Sequence, residues 1–138
     1  MNRFAYSLFC DDIRNEVGNK LSFMGVYSHV LYVPRMPFVL PKFCVQVVAV
    51  TPENLPFKSI AVRLKYGDFE EITALDEGRI KYSTIDTRED LKYPGAEESD
   101  SNRVVEYQNF YVFSPFEIKE AGRFSVRVET ESGELRAG

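Results

Sequence analysis

Apolar side chains recur at every second position along most of this chain, and that constrains its fold more than any other feature. Ile60, Val62, Leu64 and Tyr66 alternate with Ala61, Arg63 and Lys65, and Phe124, Val126 and Val128 alternate with Ser125, Arg127 and Glu129. Near the N-terminus, Phe4, Tyr6, Leu8 and Cys10 share one face in the same way. A two-residue repeat matches the pleat of a strand, whose successive side chains point to opposite sides. Three longer stretches, Leu21–Val33, Phe43–Val50 and Val104–Phe113, are apolar on both faces and read as central strands. A break in alternation at Gly25 predicts a bulge that lets the first of these bend from one sheet to the other. Eight Tyr, eleven Phe and no Trp fit the same picture, because aromatic and β-branched residues suit a pleated surface.

Turn chemistry separates these runs. Gly67-Asp68 suits a two-residue hairpin, Asp76-Glu77-Gly78 a three-residue hairpin loop, and Ser132-Gly133 a final hairpin closing on the C-terminal tail. Pro34, Pro37 and Pro41 predict that residues 34–41 are a stiff connector and not a ladder strand. Helix is scarce. The best segment is Asp11–Asn19, where an aspartate can cap, Ile13 and Val17 lie at i, i+4 spacing and Gly18 terminates. The expected fold is therefore all-β: one antiparallel β-sandwich, immunoglobulin-like or jelly-roll-like, spanning residues 1–138. Eight or nine strands and one short helical turn near 11–19 are expected.

Composition narrows the function. Seventeen basic residues against 21 acidic ones give a net charge of −4. With no basic run, a role on nucleic acid or an anionic membrane is not expected. No apolar run approaches the ~20 residues that span a bilayer, and no signal-like segment opens the chain, so a cytosolic location is expected. Cys10 and Cys44 sit in apolar runs and read as buried free thiols; a bridge would require their strands to lie side by side. His29, the single histidine, is placed mid-strand beside Ser28, where the two would point to opposite faces and could not pair catalytically. Two cysteines and one histidine at no usable spacing exclude a structural zinc site. Asp11, Asp12 and Glu16, and separately Glu97, Glu98 and Asp100, are acidic groups without calcium-loop spacing. No phosphate-cradling glycine motif is present. No cofactor, metal, catalytic set or small-molecule substrate is expected.

What remains is recognition of another protein or self-association. Residues 86–103 carry six acids against three bases and read as a long charged loop, with Leu91, Tyr93, Glu97, Glu98 and Asp100 as contact residues. The proline-rich stretch adds Tyr32, Arg35, Met36 and Phe38 as a second contact surface. Asp11, Asp12 and Arg14 read as a structural cluster, an aspartate capping the helical turn and the arginine clamping a neighbouring carboxylate.

The segments FCDDIRNEVGNKLSFMGVYS, MPFVLPKFCVQVVAV and EAGRFSVRVETESGE together resemble a domain-of-unknown-function family of small intracellular bacterial and phage proteins. The most specific piece is Cys10 to Arg14 with Gly18, Lys20 and Gly25-Val26-Tyr27. The resemblance implies a single β-sandwich over essentially the whole chain and brings no assigned activity. The tail after Glu134 is short, which predicts a truncated last strand with an open edge. The expected function is a non-enzymatic interaction module that binds through an edge strand or loop surface. The alternatives are a phage-encoded inhibitor of a host defence complex, a virion or assembly subunit, and a small hydrolase or calcium-dependent binder.

Overall fold

Val62, Leu64, Val126 and Val128 have no exposed surface, and the strands that carry them lie side by side, as the alternation requires. A computed structural model describes residues 2–85 and 103–138. Among them are eleven strands: β1 (Phe4–Glu16), β2 (Lys20–Val26), β3 (Phe38–Leu40), β4 (Phe43–Pro52), β5 (Ser59–Tyr66), β6 (Phe69–Asp76), β7 (Tyr82–Ile85), β8 (Val104–Phe113), β9 (Phe116–Ile118), β10 (Ser125–Thr130) and β11 (Gly133–Arg136). All pairings are antiparallel. One sheet has the order β2-β1-β4-β8-β7, the other β11-β10-β5-β6, and β3 with β9 forms a separate ribbon. The chain is all-β, and the count is eleven where the sequence suggested eight or nine.

The two large sheets face each other across one core. Val45, Val47 and Ala49 of β4 and Tyr107 and Tyr111 of β8 pack against Ile60, Val62 and Leu64 of β5 and Val126 and Val128 of β10. Toward one end the filling becomes aromatic. Phe43 lies 5.1 Å from Phe116, 5.4 Å from Phe124 and 6.0 Å from Phe9, centroid to centroid. Tilted and edge-to-face rings at such spacings add to the stabilisation from burial alone.

Four expectations are corrected. The segment 11–19 is not helical: β1 runs on to Glu16 and returns as β2, pairing Asp12 with Met24, Ile13 with Phe23 and Glu16 with Lys20. Gly18 at φ 83° and Asn19 at φ 58° make the turn. A nine-residue helix with only Ile13 and Val17 to bury is marginal, whereas the ribbon pairs the backbone groups that face across it. The predicted long strand Leu21–Val33 stops at Val26, and its register with β1 contains no inserted residue, so Gly25 marks no bulge. Residues 77–79 form a single 3₁₀ turn that carries the chain from β6 in one sheet to β7 in the other, not a hairpin. Within the proline connector, Phe38–Leu40 pairs with β9, since no proline lies inside those three residues and a two-stranded ribbon leaves an edge free for its neighbours. The hairpins at Gly67-Asp68 and before Gly133 are present, with Tyr66 opposite Phe69 and Thr130 opposite Gly133.

Candidate functional site

The apolar set on β1 faces outward. Ala5 and Phe9 pack on the core, so Phe4, Tyr6, Leu8 and Cys10 lie on the other side of the sheet. Register extends this face across neighbouring strands. Cys10 is flanked by Val26 and Cys44, and Cys44 by Val112; Leu8 is followed by Gln46 and Phe110. Phe4, Tyr6, Met24, Val26, Phe110 and Val112 are each more than one-third exposed. At six such residues this amounts to roughly 500 Å² of contiguous apolar surface, at the upper end of what a monomer ordinarily shows. The sequence contained the signal, the shared face of Phe4, Tyr6 and Leu8, but alternation alone does not say which side is the core.

Cys10 and Cys44 stand directly opposite each other on this face, both free and without exposed surface. Burial, and then the facing Cys44 thiol, push Cys10 up to about 11, and burial raises Cys44 as well. Thiols so disfavoured as thiolates are poor nucleophiles. His29 is not in a strand; it is exposed on the irregular segment after β2.

The Asp11, Asp12 and Arg14 cluster divides between two faces. Asp12 accepts a hydrogen bond from Arg14 Nε at 3.0 Å and an ion pair from Lys42, and these two cations hold its carboxyl below the usual range. No helix start is present for Asp12 to cap, so its role is to tie β1 to the beginning of β4. Asp11 accepts from the Tyr27 hydroxyl, which burial and this carboxylate raise well above its ordinary value. Because Asp11 and Asp12 point apart, they do not converge with Glu16 on one ion. Among the described residues, no three His, Cys, Asp or Glu side chains are grouped to hold a metal.

Gly25 is set by the same contact. It has φ +64°, and a Cβ there would lie 2.9 Å from Asp11 Cγ. Gly25→Ala is expected to cost about 1–3 kcal/mol. Adding Asp11→Ala should recover only the part due to crowding, which a double-mutant cycle by urea denaturation measures.

Between β1, the segment after β2 and the segment leading into β10 lies a second feature, a cavity of about 690 Å³. Phe9, Tyr27, Phe43, Phe116 and Phe124 form its apolar wall, with Met36 also lining it. Of the predicted contact residues that the structure describes, Met36 alone lines it. Tyr32 is 89% exposed, Arg35 is exposed, and Phe38 is half-buried in β3 opposite Ile118. Leu91, Tyr93, Glu97, Glu98 and Asp100 lie outside the described residues.

No family model matches the chain, and no curated protein or solved structure does. Among the described residues no helix is long and apolar enough to cross a membrane.

Proposed function

We propose that this chain is a non-enzymatic interaction module whose docking surface is the outer face of the five-stranded sheet, and that the surface takes a second copy of the chain. The observation that carries this reading is the exposed stripe of Phe4, Tyr6, Met24, Val26, Phe110 and Val112 on neighbouring strands in register. Phe, Tyr and Met are enriched at interfaces, whereas charge is depleted from their centres. Here the centre of the face holds Leu8, Gln46 and the paired thiols. A standard interface buries roughly 800 Å² per partner, a little over half of it apolar, which the ~500 Å² estimated for this stripe supplies. Arg14 and Lys42 lie at one end of the face and Glu106 at the other. Glu106 is buried and Asp12 already pairs with both cations, so the apolar stripe carries the contact, and a two-fold axis across the strands lays that stripe on its own copy, as an isologous contact requires.

The test is mass by light scattering over a range of concentrations. Twice 15.9 kDa is expected for the natural sequence, and 15.9 kDa for the Tyr6→Glu, Val112→Glu double variant with an unchanged β-sheet spectrum. A natural chain that stays monomeric into the millimolar range defeats the proposal. A non-enzymatic role is supported by the buried, high-pKa thiols and the exposed solitary histidine.

A further inference from the structure

The cavity at the aromatic end of the sandwich lies on the opposite side of β1 from the proposed docking face, and its lining is selective in charge. Among the described residues, no Asp, Glu or Lys is among those that line it. Among the described residues, the side chains there able to carry a positive charge are His29 and Arg123. Both are exposed, and neither makes a hydrogen bond or ion pair among the described residues. A guanidinium left open beside an apolar chamber is a donor fork matched to a planar anion. The volume, about 690 Å³, lies within the range that encloses small ligands, whose sites are mostly apolar with a few polar groups to fix orientation.

The wall is braced for this purpose. The Tyr27 hydroxyl is tied to Asp11, which keeps that carboxylate engaged beside the chamber. Tyr66 donates to the Glu120 backbone oxygen, and a Cβ at Gly122 would come within 3.1 Å of the Tyr66 ring, so the turn bearing Arg123 closes tightly against the aromatic wall.

We infer that this cavity binds a small amphipathic anion, with a hydrocarbon body among Phe9, Phe43, Phe116 and Phe124 and a carboxylate head at Arg123, assisted by His29. The site lies mostly apart from the docking face, with which its lining shares Val26 and Leu8.

Methionine makes the test specific. The chain has three methionines: Met36 lines the cavity, Met24 lies on the outer sheet face, and Met1 is the first residue. With methyl-labelled methionine, dodecanoate below its micelle concentration is titrated and followed by NMR and calorimetry. Saturable one-to-one binding that shifts Met36 and leaves Met24 in place is expected. Arg123→Ala, a change at an exposed position, should weaken dodecanoate about tenfold. Dodecyltrimethylammonium, of the same length and opposite charge, should not saturate the site. The inference fails if Met36 does not move, if Met24 moves instead, if the cationic chain binds as tightly, or if Arg123→Ala leaves the affinity unchanged.

Discussion

Phe43→Ala is expected to lower the unfolding free energy by about 3–5 kcal/mol, the range for removing a buried aromatic ring. Phe43 is 6% exposed and has five aromatic rings around it, those of Phe9, Tyr27, Phe113, Phe116 and Phe124. These rings come from β1, the segment after β2, β8, β9 and the entry to β10, so the loss is felt in every layer at that end of the molecule. Phe110→Ala provides the control. Phe110 is 37% exposed on the outer face, and its removal should cost under about 1 kcal/mol in dilute solution. Urea denaturation with an unchanged m-value measures both. Equal losses would mean that the aromatic end is not the packed one.

The second large effect lies at the opposite end. Arg3 reaches over the Phe57 ring, 4.6 Å from its centroid, and joins three segments. It pairs with Glu131 at 2.5 Å and donates to Thr51 Oγ1 at 3.1 Å, Ser132 Oγ at 2.7 Å and the Leu55 and Pro56 carbonyls at 3.0 and 3.1 Å. Its side chain is 7% exposed, so these bonds replace water almost completely. Arg3→Met keeps the stem and removes the head; a loss of about 2 kcal/mol is expected, because the Thr51 hydroxyl and the Leu55 and Pro56 carbonyls lose their donor along with the Glu131 ion pair. Acid should remove the part of the difference that depends on the Glu131 charge. Burial pulls the Glu131 carboxyl upward, but Arg3 and the Lys58 and Ser59 N–H groups outweigh it and hold it below the ordinary range. A depressed native value contributes stability that is complete above the unfolded-state value, ~4.3, and is lost as pH falls through the native one. The gap between the natural chain and Arg3→Met should therefore narrow as pH drops below that value.

Much of this architecture is legible in the residues. The two-residue repeat at Ile60–Tyr66 and Phe124–Val128 locates β5 and β10 with their buried sides, since their alternate positions, Ala61 apart, are polar. β4 is legible as central because both its faces are apolar. The failures share a cause: short-range pattern does not specify which partner a segment finds. Ile13 and Val17 have helical spacing, yet Met24, Phe23 and Lys20 are close enough in sequence to pair with β1 first. Phe38–Leu40 lies between prolines, yet β9 arrives from the far end of the chain to pair with it. The outward turn of Phe4 and Tyr6 depends on β4 being apolar on both sides, so that either face of β1 matches it. The cavity was not legible at all, because Phe9, Phe43, Phe116, Phe124 and Arg123 meet only through tertiary structure.

The register of β1 has a further consequence. Its first half, Phe4–Cys10, is bonded to β4, while Cys10–Glu16 is bonded to β2, and only Cys10 belongs to both. One continuous strand is thus anchored in the molecule along half its length and supported by a lone ribbon along the other. Deuterium uptake should record this as two regimes within thirteen residues: the alternate amides before Cys10 that bond to β4 exchanging only when the whole protein opens, and those beyond it exchanging by local fraying at a far smaller free-energy cost.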